Sequence, residues 1–75
     1  MKELGATLRH FRKQTGITQR QLAEALNVDP TTISQYENGR RSFPIDLLEP
    51  ACECMGISTR EFLDEVFPDT GEAPR

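Results

Sequence analysis

Residues 16–39 read GITQRQLAEALNVDPTTISQYENG. Two helix starts lie inside this stretch. The first is Ile17-Thr18-x-x-Gln21-Leu22, in which Thr18 is an N-cap, Gln21 stands three residues on, and apolar Ile17 and Leu22 bracket the pair. This is the pattern of a capping box closed by a hydrophobic staple. The second is Val28-Asp29-Pro30-x-x-Ile33. It offers Asp29 as N-cap, Pro30 at the first helical position, and a staple from Val28 to Ile33. Asn27 tolerates the left-handed conformation that stops the earlier helix, and Gly39 suits the position after the later one. Two short helices, 18–26 and 29–38, joined by so tight a turn form a helix-turn-helix unit.

Helical signals continue on both sides. Leu4, Leu8 and Phe11 give an apolar stripe for a first helix over 2–14, and Gly16 reads as its stop. Ile57-Ser58-x-x-Glu61-Phe62 repeats the capping-box pattern and starts a last helix over 58–67. Between them, Ile45, Leu48, Cys52 and Met55 share one stripe that Gly56 ends. Pro50 falls inside it and either kinks that helix or sits in the first turn of a restart. Alternating runs are scarce, so β structure is not expected. The expected architecture is all-α: one compact five-helix domain over residues 1–67, with the helix-turn-helix at its second and third helices. Residues 68–75, PDTGEAPR, read as a disordered polar tail or the stub of a linker.

Composition narrows the class. Seventy-five residues make one domain with a modest core. No apolar run approaches the ~20 residues of a membrane helix, and Met1-Lys2-Glu3 leads into a mixed polar pattern unlike a signal peptide. Cys52 and Cys54 lie two apart, which on a helix turns them to different faces and argues for free thiols. With one distant His10 they make a poor metal set. The expectation is a cytoplasmic protein that needs neither metal nor cofactor. The net charge of −3 is unevenly spread. Residues 1–60 hold eight Lys/Arg and seven Asp/Glu, whereas 61–75 hold one Arg and five acids. The acidity therefore belongs to the C-terminal end, which leaves room for a local basic face elsewhere.

The third helix carries the chemistry. At about 100° per residue, Pro30, Thr31, Ser34, Gln35 and Asn38 fall within one arc of about 140°. Ile33, Tyr36 and Glu37 fall on the other side. The open arc is small, hydrogen-bonding and free of acids. It suits a DNA major groove, where base edges present donors, acceptors and the thymine methyl. Gln35 matches the two-point adenine edge; Thr31 and Ser34 can donate or accept; Pro30 adds an apolar contact. Around this arc stand candidate phosphate ligands. The start of the second helix offers free backbone N–H groups at Gln19 and Arg20, with the side chains of Thr18 and Gln19 beside them. Asn38, Arg40 and Arg41 follow the third helix. Taken singly, the arc also reads as a solvated helix face and the arginines as an ordinary loop.

Together these residues resemble the lambda-repressor-like, Xre-type helix-turn-helix family of phage repressors and Cro proteins. The matching text is Leu8-x-x-x-Arg12, Gly16-Ile17-Thr18-Gln19-x-x-Leu22-Ala23, Val28-x-x-x-x-Ile33-Ser34-x-Tyr36-Glu37-Asn38-Gly39-Arg40 and Met55-Gly56-Ile57. The resemblance implies close crossing of the two helices at Ala23, phosphate contacts from Gln19 and Asn38, and base-facing positions at Pro30, Thr31 and Gln35. It also implies a buried pair between Arg12 and Glu37, which would give the acid on the inner arc a partner. The sequence departs from the family at Asn27, where Gly is frequent, at Pro50, where a helix former is usual, and at Pro30, which often carries a polar base-reader.

The expected function is therefore sequence-specific binding of double-stranded DNA as a transcriptional regulator, a repressor above all, by a homodimer on a palindromic operator. Leu63, Val66 and Phe67 are the candidates for the dimer interface. An enzyme is not expected: there is one His, no nucleophile motif and no phosphate loop. The rival reading is a protein-interaction module or antitoxin-type subunit of the same fold.

Overall fold

The computed structural model describes residues 3–68. Helix α1 spans Leu4–Gln14, α2 Gln19–Leu26, α3 Pro30–Glu37, α4 Leu48–Met55 and α5 Thr59–Val66; a single 3₁₀ turn, Ile45–Leu47, leads into α4. No strand occurs among the described residues. The expected first-helix residue Lys2 and nearly all of the expected tail, 69–75, lie outside the described residues. No described helix is long and apolar enough to cross a membrane.

Local chemistry sets the helix ends. Thr18 and Gln21 form both limbs of a capping box: Gln21 N–H donates to Thr18 Oγ1 at 3.0 Å and Thr18 N–H to Gln21 Oε1 at 2.9 Å. Asn27 takes the left-handed conformation, φ 57°, and its N–H closes α2 onto the carbonyls of Ala23 and Glu24. Pro30 opens α3 at its first position, but the Asp29 side chain makes no cap. The reason is that the Asp29 carbonyl already accepts from Thr32 and Ile33 N–H, at 2.9 and 3.2 Å, and so takes the donor the side chain would have served. At α5 the box is half made: Ser58 Oγ accepts from Glu61 N–H at 3.0 Å.

Pro50 proves to be a first-turn proline. The stripe from Ile45 to Met55 breaks into the 3₁₀ turn and α4, and Pro50 is the third residue of α4. A helix's first N–H groups have no partner inside the helix, so the missing donor costs nothing there. Ile45, read as the first residue of the buried stripe, is instead 61 % exposed.

The core joins all five helices. Leu8 and Phe11 of α1, Leu22, Ala23 and Leu26 of α2, Ile33 and Tyr36 of α3, Leu48, Ala51, Cys52 and Met55 of α4, and Phe62 and Val66 of α5 are all buried, with Phe43 from the intervening loop. The staple residues Ile17, Val28 and Ile57 pack against this cluster from its edge. Phe11 and Phe62 bring the first and last helices together at 5.7 Å between ring centres, and Tyr36 meets Phe43 edge to face at 5.3 Å. Both cysteines are free thiols, Cys52 buried and Cys54 half-buried. Burial, with a smaller contribution from the negative charge of Glu61, pushes the Cys52 thiol up to about 11.

One close approach was not visible in the sequence. A methyl group at Gly5 would overlap the carbonyl oxygen of Tyr36 and lie 2.8 Å from its carbon. The backbones of α1 and α3 therefore touch, and only glycine fits at the crossing.

Candidate nucleic-acid interface

The close crossing at Gly5 carries Arg12, two turns further along α1, to the end of α3. There Arg12 Nε donates to Glu37 Oε2 at 2.5 Å and Nη2 to Oε1 at 3.1 Å. The two side chains are 10 % and 1 % exposed. Such a pair gains from its two-pronged geometry, and removing either partner strands a buried charge. Arg12 Nη1 also donates to the Ile17 carbonyl at 2.9 Å, which fixes the residue before the Thr18 cap. Gln19 completes the group: its Nε2 donates to Glu37 Oε1 at 3.0 Å. Among the described residues no buried side-chain nitrogen or oxygen lacks a partner.

This network places the start of α2 beside the end of α3. Thr18 and Arg20 are exposed and Gln19 is half-buried. The first turn of α2 carries no acid of its own, and the carboxylate that reaches it, that of Glu37, is paired with Arg12. The N–H groups of Gln19 and Arg20 belong to the unpartnered first turn, whereas that of Gln21 is taken by Thr18.

On α3, Ile33, Tyr36 and Glu37 are buried. Thr31, Ser34, Gln35 and Asn38, with Arg40 from the turn beyond, line one open hollow of about 490 Å³. Its walls carry hydroxyls, amides and one guanidinium, and no acid. Asn38 Nδ2 donates to Ser34 Oγ at 3.2 Å, so the serine hydroxyl keeps its own proton to give outward. Pro30 is half-buried at the N-terminal end of the same helix and does not line the hollow. Thr32, which sequence reasoning passed over, is half-buried between these faces.

Arg40 and Arg41, read together as phosphate ligands, part company. Arg40 lines the polar hollow; Arg41 lines a second, mostly apolar groove of about 480 Å³ with Leu4, Phe43, Ile45, Leu63 and Phe67. The turn at Gly39, φ 76°, reverses the chain here, so neighbouring side chains diverge.

The last helix requires a correction. Val66 is 1 % exposed and belongs to the core, one turn after Phe62, which is fully buried. Positions four apart on a helix share a face, so both point inward. Leu63 is half-buried and Phe67 is 58 % exposed; only these two of the three candidates offer surface to a partner. The exposed Ile45, which sequence reasoning assigned to the core stripe, stands with them on the groove.

Residues 3–65 match a family described as a helix-turn-helix domain. The chain is 32 % identical to the HTH-type transcriptional regulator PrpR of Mycobacterium tuberculosis, across 89 % of this chain and 16 % of that protein. It thus spans a small part of that relative's length. Among solved structures, the clp gene regulator ClgR of Corynebacterium glutamicum superposes with a TM-score of 0.78 at 39 % identity, covering 96 % of this chain and 91 % of the other. The restriction-modification controller protein C.AhdI from Aeromonas hydrophila gives a TM-score of 0.69 at 25 % identity, covering 79 % and 89 %.

Proposed function

The chain belongs to the helix-turn-helix domain family, with the lambda-repressor-like fold, and from that premise we propose that it is a transcriptional regulator that binds double-stranded DNA sequence-specifically and catalyses no reaction. The observation that carries this reading is the acid-free hollow on α3, lined by Thr31, Ser34, Gln35, Asn38 and Arg40. With α3 in the major groove, Gln35 meets an adenine edge and Ser34 donates to a base or phosphate acceptor. Thr31 offers a hydroxyl and a methyl, and Pro30 an apolar edge. Thr18, Gln19 and Arg20 at the start of α2 hold one phosphate; Asn38 and Arg40 hold another. Arg41, on the other groove, makes at most a peripheral phosphate contact.

The regulator acts as a repressor on the bacterial nucleoid, by occupying its operator. A homodimer fits the remaining surface. Among the described residues Ile45 and Phe67 are the large exposed apolar side chains, and with Leu63 they line one groove. A two-fold contact there would match a palindromic site. The same groove supports the second reading, a protein-interaction or antitoxin-type subunit whose partner is a different chain.

The test is selection from a random duplex library at near-physiological salt, followed by sequencing of the bound pool. Enrichment of a palindrome with half-site centres about one helical turn (~10 bp) apart is the expected result. A pool without an enriched motif, together with capture of a different protein through the Ile45–Phe67 groove, would favour the second reading.

A further inference from the structure

The buried carboxylate of Glu37 does more than neutralise Arg12. It receives three donors, Arg12 Nε, Arg12 Nη2 and Gln19 Nε2, and its Oε1 is shared between the last two at 3.1 and 3.0 Å. The third donor comes from a residue that the proposed function sets against phosphate. From this geometry we infer that Glu37 is a positioning residue for DNA binding, acting through Gln19: it holds the glutamine amide in its DNA-ready orientation before DNA arrives.

The inference rests on the reading that the start of α2 meets phosphate. A glutamine side chain in water samples many rotamers, and freezing one on binding weakens affinity. Gln19 is half-buried, and its amide is anchored inward by one N–H. An amide nitrogen has two N–H groups, so the second remains for an outside acceptor. The anchor is itself rigid, because Arg12 grips the same carboxylate from α1 and also holds the Ile17 carbonyl just ahead of α2 at 2.9 Å. Glu37 is followed directly by Asn38 and, after the turn, by Arg40. One carboxylate thus ties the two phosphate-facing segments to each other, and the spacing between them is set by its hydrogen bonds.

A double-mutant cycle on the selected operator duplex tests this, using the full chain with Gln19→Ala, Glu37→Gln and the double variant, each verified as folded by circular dichroism. Glu37→Gln is expected to weaken binding about fivefold in the unaltered protein and by a clearly smaller factor once Gln19 is alanine, the remainder coming from the loss of Arg12's partner. An equal loss in both backgrounds would overturn the inference, because Glu37 would then act on the fold alone. No loss on Gln19→Ala would remove the phosphate reading itself, and the inference with it; this outcome is separate from additivity. If Glu37→Gln fails to fold, hydrogen exchange of the unaltered protein decides. The inward Gln19 side-chain N–H should exchange at least about tenfold more slowly than those of exposed Gln14, both free and on DNA. Equal exchange would overturn the inference.

Discussion

Where α1 meets α3, two backbones touch at Gly5 and the carboxylate of Glu37 is matched donor by donor. Where α4 and α5 close the bundle, the contacts are apolar side chains, among them Met55, Phe62 and Val66. The first region tolerates little change in geometry, because hydrogen bonds lose strength over a few tenths of an ångström and a carbonyl cannot make room for a methyl group. The second needs volume and apolar character more than shape. The region built for position is the one that aims α2 and α3, and the region built for bulk closes the core; the apolar groove borders both, lined by Leu4, Gly5 and Tyr36 on one side and Leu63, Val66 and Phe67 on the other. Specific recognition needs the former, and a stable core needs only the latter.

Breaking the positional region should cost most. Arg12→Ala leaves the Glu37 carboxylate buried without its charge partner and should destabilise the fold by about 3–5 kcal/mol. Thermal unfolding should then shift down by more than ~12 °C for a domain of this size. A shift of only a few degrees would mean that the pair is solvated and does little.

Gly5→Ala should cost about 1–3 kcal/mol through overpacking, since α1 must move away from the Tyr36 carbonyl. Affinity for the operator, measured below the melting transition, should fall as well, because the move carries Arg12 and its network with it. Unchanged affinity in a folded variant would show that the crossing is structural only. The contrast is sharpened by Met55→Leu in the other region, which should cost under about 1.5 kcal/mol and leave DNA affinity unaltered. The smallest effects separate the two cap sites. Thr18→Ala should destabilise by about 1 kcal/mol, whereas Asp29→Ala, whose side chain caps nothing, should change stability by only a few tenths by denaturant titration.

Much of the fold was legible because its determinants are local. Thr18 and Gln21 satisfy each other within one turn, Asn27 supplies a left-handed stop, and Pro30 presets the first turn of α3; each is a rule about neighbours in the chain. The arc on α3 was legible for the same reason, since helical phase alone puts Thr31, Ser34, Gln35 and Asn38 on one side. What escaped is tertiary. Gly5 sits inside a good helix pattern, and nothing in its neighbours says that the Tyr36 carbonyl faces it; an isolated helical glycine was the one available hint. The bond from Gln19 to Glu37 spans eighteen residues and exists only once α1 has set both. The divergence of Arg40 from Arg41 depends on the path of the turn after Gly39. Val66 was readable from its spacing to Phe62, yet apolar character alone cannot separate a core position from an interface.

The most direct test of the central claim is to repeat the duplex selection with Gln35→Ala and compare its motif with that of the unaltered protein. If α3 reads bases through the hollow lined by Thr31, Ser34 and Gln35, specific affinity should fall by ~1–3 kcal/mol and preference should relax at one position in each half-site, with the rest of the motif intact. An unchanged motif would mean that this face of α3 does not lie against the bases.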